Sequence, residues 1–239
     1  MLARHNSVRL VPRHGSTTAA VGVLDRTTGP QLRDSLLELA AESDDGVLVD
    51  VEGLELEDRE LVKVFSFVAL RLGDWPAVPF VLVTGRPDQR AVLAAQSAPV
   101  YADAASAEAA LERPSRKRAR RVLTRSSRTS ASARAFVRGT CAEWRVPELA
   151  EDAALVATEL VENTLRHTDS VPRLRLELRR RRLSVEVADE SPRPAVVREG
   201  LDLTETGLGL RMVAKVAKVW GSSRRRSGGK TVWAVLRRA

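Results

Sequence analysis

The sequence predicts an α/β protein of two domains, and three observations lead to this prediction. In the first half, short apolar runs alternate with helical patterns. In the second half, two helical patterns precede strands joined by tight turns. The charge also divides, because residues 1–112 carry 10 Lys/Arg and 17 Asp/Glu (net −7), whereas residues 113–239 carry 29 and 14 (net +15). The pattern and the charge change at the same place, which predicts domains at 1–112 and 125–239 with a basic linker at 113–124.

Strands and helices alternate through the first half of the chain. The predicted strands are rich in Val and Leu, and the segments between them carry apolar residues at helical spacing. This alternation predicts one α/β domain whose sheet is covered by helices. The strands are predicted at Thr17–Asp25, Gly46–Val51, Pro79–Thr84 and near Val100, and the helices at Gln31–Ala41, Arg59–Leu72, Asp88–Gln96 and Ser106–Glu112.

A strongly basic segment follows the first domain. Six of the nine residues from Arg113 to Arg121 are Lys or Arg. Such a run can form a nucleic-acid or membrane patch, or a solvated connector between domains. Because no aromatic residues interleave with the charges and no helix-turn-helix pattern lies nearby, we predict a connector and do not expect nucleic-acid binding.

The second domain opens with helical patterns and continues as a sheet. Two strands joined by a tight turn follow the helices, and a further helix and a last strand follow a segment rich in Pro and charge. This order predicts a sheet with its helices on one face. The helices are predicted at Ala131–Trp144, Leu149–His167 and Leu208–Val219, and the strands at Leu174–Leu178, Leu183–Ala188 and Thr231–Leu236.

The composition argues against several classes of protein. No apolar run approaches the roughly 18 residues of a membrane span, and the first residues lack the apolar segment of a signal peptide. The single cysteine, Cys141, excludes an internal disulfide and has no catalytic pattern around it, so we predict a small buried hydrophobe. Together these features predict a cytoplasmic protein that does not enter the membrane.

The helix predicted at Leu149–His167 carries polar side chains on one face. Glu159, Asn163 and Arg166 stand at positions i, i+4 and i+7, and hence on the same side. A glutamate can take the proton from an attacking hydroxyl. A Mg²⁺ ion keeps water and phosphate ligands, so a single amide oxygen is enough as its ligand from the protein. The alternative is a solvated helix face, and this helix alone does not decide between the two.

Two later segments could complete a nucleotide site. Asp189 follows a strand and precedes Glu-Ser-Pro, so it is either an ordinary turn residue or a buried acceptor for the amino group of adenine. The stretch Thr206–Leu210 contains Gly207 and Gly209 and leads into a helix, which favours close approach of a phosphate to the backbone. Two glycines alone are a weak signal, because a flexible turn has the same composition.

In combination, these segments resemble the ATP-binding domain shared by gyrase B, the large heat-shock chaperones, histidine kinases and the anti-sigma-factor serine kinases. The resemblance covers about Arg125 to Ala239 and implies a histidine-kinase-like α/β sandwich that holds ATP and Mg²⁺ between helices and a lid. The tripeptide Gly229-Lys230-Thr231 near the end of the chain is not a phosphate loop, because it leads into a strand and not into a helix. The matching motifs are the N-box Glu159–Asn163, a first glycine box reduced to Asp189-Glu-Ser191, a second glycine box Gly207–Leu210 and the closing Gly229-Lys230-Thr231.

The resemblance implies a role for each matching residue. Glu159 would be the general base, Asn163 the Mg²⁺ ligand and Asp189 the adenine reader. Ser191 stands where many members have a glycine, a departure that could alter the entry to the lid but leaves Asp189 in place. The implied ATP-binding residues are Asn163, Arg166, Asp189, Gly207, Leu208, Gly209, Leu210 and Thr231, with the glycines on the phosphate side of the lid and the threonine near the adenine.

Within this family, the sequence favours the anti-sigma-factor kinases over the sensor histidine kinases. A sensor kinase would carry a helical dimerisation segment with a phosphoacceptor histidine before its ATP domain, and no such pattern stands there. The short distance from Asp189 to Gly207 also suits the compact lid of the anti-sigma kinases. The related kinases commonly form dimers, and the resemblance extends that expectation to a homodimer here.

The first domain resembles the STAS domain of anti-sigma-factor antagonists over about residues 10–112, most clearly in the stretch Leu48–Asp58. In such antagonists an aspartate is followed by two hydroxyl residues, one of them the target of the kinase, and then by a glycine. Aligned on Asp58, the corresponding residues are Arg59, Glu60 and Leu61. The domain is therefore predicted to lack a phosphorylatable serine.

Three functions follow, in order of preference. The first is a serine/threonine kinase of a partner-switching circuit, in which ATP and Mg²⁺ bind the second domain and Glu159 activates a serine of a separate STAS antagonist protein. The second is a non-catalytic module whose ATP occupancy sets its affinity for a sigma factor or antagonist. The third and weakest is a nucleic-acid binder. The opposite charges of the two halves are also compatible with a contact between the two domains.

Overall fold

The chain forms two compact units, Met1–Arg113 and Pro114–Ala239. A computed structural model describes residues 7–13, 17–43, 45–111, 116–179, 182–191 and 208–237. Both units combine helices with a sheet, which confirms the predicted α/β class. Among the helices in these ranges, none is long and apolar enough to cross a membrane.

The first unit alternates strands and helices along the chain, as the sequence pattern predicts. A 3₁₀ helix at Arg59–Val62 precedes its second α-helix. The strands are β1 (Val8–Pro12), β2 (Thr17–Leu24), β3 (Val47–Asp50), β4 (Leu54–Leu56), β5 (Phe80–Val83) and β6 (Val100–Tyr101), and the helices are α1 (Thr28–Glu42), α2 (Lys63–Asp74), α3 (Pro87–Leu93) and α4 (Ala104–Ala110).

The sheet of the first unit has the strand order β1-β2-β3-β5-β6, with β4 paired to β2. Only β1 runs antiparallel to its neighbour within this sheet. Val47 and Val49 of β3 belong to a core shared with α1 and α2, whereas Leu48 packs with Ala107 of α4. Since successive residues of a strand point to opposite faces, helices cover both faces of this sheet.

Two strands of the first unit were not predicted, and some helix starts differ from the prediction. The strand β1 is mostly exposed and β4 has only three residues, so neither forms a run of buried apolar residues. The helix α1 begins at Thr28, three residues before the predicted start, because the Asp25 carboxylate accepts hydrogen bonds from the backbone N–H groups of Thr27 (2.7 Å) and Thr28 (2.8 Å). Side-chain acceptors of this kind replace the missing helical partners of the first N–H groups.

The second unit combines an antiparallel sheet with three α-helices in its described part. A short 3₁₀ helix, Pro147–Leu149, leads into the longest of these helices. The strands are β7 (Arg116–Val122), β8 (Arg173–Arg179), β9 (Arg182–Asp189), β10 (Val219–Arg224) and β11 (Lys230–Arg237), and the helices are α5 (Thr129–Glu143), α6 (Ala150–His167) and α7 (Leu208–Val216).

The sheet of the second unit has the order β10-β11-β9-β8-β7, and every neighbouring pair is antiparallel. Its core is formed by alternate residues of β8, β9 and β11 packed against apolar side chains of α5, α6 and α7. Alternate residues of a strand share one face, so these helices lie together on one side of the sheet, as predicted. Representative core residues are Leu174, Val185, Val187, Val232, Leu160 and Val213.

The basic segment predicted as a linker is in fact largely a strand. Arg116–Val122 forms β7 at the edge of the second sheet, paired antiparallel with β8. Arg116 and Arg118 form ion pairs with the buried carboxylate of Glu177 at 3.4 and 2.8 Å. The charge run hid the strand because two of its basic side chains pair with a glutamate about 60 positions later, which no local pattern shows.

The helix α7 is shorter than predicted. It ends at Val216, whereas the sequence pattern extends to Val219. The backbone N–H of Lys218 donates to the carbonyl of Val235 (2.9 Å), and Val219 begins β10. The residues after Val216 therefore pair with β11 and do not continue the helix. This pairing depends on tertiary contacts, which helical periodicity does not reveal.

Candidate functional site

The polar face predicted on α6 is present. Glu159 and Asn163 are half-buried, and Arg166 is exposed near the helix end. The opposite side of the helix is fully buried in the core, with Ala153, Ala157, Leu160 and Val161 all at 0% exposure. The apolar side therefore fixes the rotation of α6, and this rotation holds Glu159 and Asn163 at the edge of the core.

The environment of Glu159 favours its protonated form. Partial burial raises the pKa of its carboxyl above 4.5, the negative charge of Glu162 raises it further, and Arg166 partly opposes both effects. An elevated pKa makes a carboxylate a stronger base once it has lost its proton. Glu159 thus has the electrostatic setting of a general base.

The first turn of α7 lies against Glu159. A side chain at Gly209 would overlap Oε2 of Glu159, and its Cβ would lie 3.3 Å from Cδ of the same carboxylate. Leu210, the next residue, is buried in the core beside α6. Of the predicted glycine box, Gly207 lies outside the described residues, and Leu208 is the first residue of α7.

Asp189 ends β9 on the side of the sheet that faces the helices. It follows the core residues Val185 and Val187 in phase and is 0% exposed. Its Oδ1 accepts hydrogen bonds from the backbone N–H of Ser191 (2.8 Å) and from Nζ of Lys230 (3.0 Å). Ser191, in place of the usual glycine, therefore helps to hold Asp189 through its backbone.

The second oxygen of Asp189 has an unused acceptor position. Nζ of Lys230 lies 2.9 Å from Oδ2 as an ion pair, and among the described residues Oδ2 accepts no hydrogen bond. A buried acceptor without a donor costs free energy comparable to a lost hydrogen bond. Such an oxygen is what a site for the amino group of adenine requires.

The structure brings Lys230 to Asp189 and places Thr231 elsewhere. Lys230 pairs with Asp189 across β11 and β9, and Thr231 pairs with Ala188. Since neighbours on a strand point to opposite faces, Thr231 faces away from the carboxylate. The side chain that shares a face with the Asp189 carboxylate is thus that of Lys230, and the expected place of Thr231 near the adenine stays a prediction. Lys230 was overlooked, although it holds the same phase as Val232 and Ala234 of the core.

Gly229 allows the two strands to approach at this point. It has φ of +78°, and a Cβ there would overlap the carbonyl oxygen of Asp189 and lie 2.7 Å from Cα of Glu190. Glycine alone combines this backbone conformation with the lack of a side chain. The Gly-Gly turn is thus needed to set Lys230 beside Asp189.

Arg125 holds the end of α6, a role that the sequence does not show. Its guanidinium donates to the backbone carbonyls of Leu165 (3.0 Å), Thr168 (2.9 Å) and Ser170 (3.0 Å). The last carbonyls of a helix have no helical partner and are stabilised by such donors. The Ser170 hydroxyl then accepts from the backbone N–H of Glu190 (3.1 Å), which joins the end of α6 to the end of β9.

The donor set suits a magnesium ion held mainly by other ligands. Within the described residues, no three His, Cys, Asp or Glu side chains cluster closely enough to hold a metal ion. Asn163 offers one amide oxygen beside Glu159 on α6.

Cys141 is fully buried, and this burial raises the pKa of its thiol to about 11, with a further contribution from Glu148. These properties suit the predicted role of Cys141 as a small hydrophobe.

The segment aligned with the antagonist phosphorylation site begins a helix in the first unit. The Asp58 carboxylate accepts a hydrogen bond from the backbone N–H of Glu60 (2.9 Å) and so caps the 3₁₀ helix. The exposed side chain of Glu60 forms an ion pair with Lys63. The exposed carboxylate of Glu60 therefore lies in the segment that aligns with the antagonist phosphorylation site.

Comparison with known proteins matches the second unit to a family. A model of the histidine kinase-like ATPase domain matches residues 106–236, more than half of the chain. Among solved structures, a variant of RsbS from Moorella thermoacetica is 19% identical, over 44% of this chain and 93% of that chain, with a TM-score of 0.34, a likeness too weak to carry an argument. The search of curated proteins finds no match. The chain therefore belongs to the histidine kinase-like ATPase domain family.

Proposed function

We propose that the second unit binds ATP with Mg²⁺. The observation that carries this proposal is the buried Oδ2 of Asp189, which forms an ion pair with Lys230 (2.9 Å) but accepts no hydrogen bond among the described residues. An amino group of adenine would supply the missing donor. A site with an unpaired buried acceptor discriminates strongly against ligands that lack the matching donor. Asn163 would supply one oxygen to Mg²⁺, which neutralises phosphate charge when bound.

The proposed activity is phosphotransfer to a serine of a separate STAS antagonist protein. Glu159 would accept the proton of the serine hydroxyl, and the burial that raises its pKa makes it a more effective base at neutral pH. The first unit, which we take as a STAS relative, would recruit the substrate protein or regulate the phosphotransfer. It presents Arg59 and Glu60 where an antagonist carries hydroxyls, so it would not itself accept the phosphoryl group.

A phosphotransfer assay tests this proposal. Radiolabelled Mg·ATP would be incubated with the full chain and a panel of serine-bearing STAS proteins. Label should appear on a serine with the wild type and be lost with Glu159→Gln. Glu151→Gln is a matched control on the same helix, because Glu151 is exposed and pairs only with Arg138 at the surface among the described residues. Transfer by Glu159→Gln at the wild-type rate would disprove the assigned base.

A second candidate is an ATP-gated binding module without phosphotransfer. It is favoured by the contact of Glu159 with Gly209, because the backbone of Gly209 covers one side of the Glu159 carboxylate. ATP occupancy would then set the affinity for a sigma factor or an antagonist. Tight ATP binding with no phosphoprotein product, measured beside ATP-dependent capture of the partner, would support this candidate. Steady turnover onto a serine would exclude it.

Nucleic-acid binding loses support from the pairing of the basic segment. Arg116 and Arg118 are ion-paired with Glu177, and the guanidinium of Arg121 lies 5.1 Å from the ring centre of Phe136. The carboxylate of Glu177 offsets one of these charges within the fold, which reduces the number of phosphate counterions that binding would release. We expect no duplex binding even at low salt, which a fluorescence anisotropy titration with labelled duplex would check.

A further inference from the structure

Lys230 is a buried lysine whose hydrogen-bonding capacity is largely unused. It is 3% exposed at the start of β11, and its ammonium carries three donors. Among the described residues, one hydrogen bond uses these donors, that to Oδ1 of Asp189. Lysine is almost never fully buried unless its charge is paired, and the pair with Asp189 meets this condition.

Fold stability alone is a weak explanation for this pair. A buried ion pair costs so much desolvation that apolar residues of similar volume are often as stable. The chain nevertheless brings Lys230 to this position through the close approach of Gly229 to Asp189. The result is a donor and an acceptor side by side, because Nζ lies 2.9 Å from Oδ2, which accepts no hydrogen bond among the described residues.

This donor–acceptor pair is complementary to one edge of adenine. Adenine presents the N6 amino donor next to the N1 acceptor, so an acceptor and a donor lying side by side can meet both groups at once. We propose that Lys230 is a purine-reading residue of this chain: Oδ2 of Asp189 accepts from N6 of adenine, and Nζ of Lys230 donates to N1. The proposal rests on the proposed binding of ATP, and it adds a role for Lys230 to the roles that the family resemblance implies.

An ATP analogue that lacks the N1 acceptor tests the role of Lys230. Equilibrium binding of ATP and 1-deaza-ATP, in which a C–H replaces N1, would be measured for the wild type, Lys230→Met and Lys230→Arg. The wild type should bind 1-deaza-ATP about tenfold more weakly than ATP, the cost of one hydrogen bond to a charged group. Lys230→Met should bind the two alike, and Lys230→Arg, which keeps a cationic donor, should still distinguish them. Lys218→Met, at an exposed lysine of the same unit, should behave as the wild type.

The outcomes separate this inference from the proposed function. The ratio of the two affinities within one variant does not depend on the fraction that is folded, so a less stable Lys230→Met remains informative. Equal affinities in the wild type, with ATP bound, would overturn the role of Lys230 and leave ATP binding standing. Tighter ATP binding by Lys230→Met would also overturn it, since the ammonium would then compete with the base. Failure of the wild type to bind ATP would overturn both.

Discussion

The carboxylate of Glu159 on α6 lies directly against the backbone of Gly209 in the first turn of α7. A Cβ at position 209 would overlap Oε2 of Glu159 and would meet Cδ at 3.3 Å. The two helices pack together in the core through Leu160 and Val213, so this contact is held from both sides. The position of the proposed base therefore depends on the absence of a side chain at Gly209.

Replacing Gly209 by alanine should displace the Glu159 carboxylate while the fold persists. The overlapping atom is the end of a flexible side chain, so it can move away, and alanine favours a helix over glycine. A displacement of about 1 Å at a catalytic group costs about 10²-fold in rate. We therefore expect phosphotransfer by Gly209→Ala to fall about 10²-fold, with the free energy of unfolding within about 1 kcal/mol of the wild type.

Gly139→Ala provides the matched control for this prediction. Gly139 lies in α5, and a Cβ there would meet no atom within 4 Å. This variant should keep full activity and gain about 0.5–1 kcal/mol in the free energy of unfolding from helix propensity. Wild-type activity in Gly209→Ala would show that the contact with Glu159 does not position the base.

Asp189→Asn should destabilise the second unit as well as abolish ATP binding. It leaves the buried ammonium of Lys230 without its charge partner, and breaking a buried pair costs about 3–5 kcal/mol. Denaturant unfolding would measure this loss. The double variant Asp189→Asn, Lys230→Met removes both charges and should recover much of it. A loss of less than about 1 kcal/mol in the single variant would show that the pair is not buried in solution.

Arg125→Ala should loosen the end of α6. The guanidinium satisfies three backbone carbonyls there, and its loss should cost about 1–2 kcal/mol in the free energy of unfolding. Hydrogen exchange at the amide of Thr168, which donates to the carbonyl of Thr164, should accelerate. Arg128→Ala is the control, because the exposed Arg128 side chain makes no hydrogen bond among the described residues. Unchanged exchange in Arg125→Ala would contradict the capping role.

The sequence reveals those features of the site that depend on local spacing. The i, i+4 positions of Glu159 and Asn163 follow from helix geometry. The sequence left open whether Asp189 is buried, and the structure decides this by extending β9 to Asp189, in phase with Val185 and Val187. Lys230 and Arg125 were missed because their partners lie 41 and at least 40 positions away. Such contacts depend on strand register and on the return of the chain, neither of which is encoded by a local pattern.

The perturbed pKa of Glu159 predicts a specific dependence of stability on pH. Burial raises this pKa above 4.5 in the folded protein, so the folded state binds the proton more tightly than the unfolded state. The contribution of Glu159 to stability is then full below pH 4.5 and is lost as the pH rises through the folded pKa. The free energy of unfolding of the wild type minus that of Glu159→Gln should therefore fall as the pH rises from 4.5 through the folded pKa. Denaturant titrations across this range would measure it.

Glu151→Gln supplies a control of opposite sign on the same helix. The hydrogen bonds from Arg138 lower the pKa of Glu151 below 4.5, so its contribution is present above that value and is lost as the pH falls. The difference between the wild type and Glu151→Gln should thus rise with pH below 4.5, whereas the difference for Glu159→Gln should fall with pH above 4.5. Because Glu151 is exposed, added salt should reduce its slope strongly and affect the half-buried Glu159 less. Parallel slopes for the two variants would show that Glu159 does not occupy the desolvated position beside Gly209.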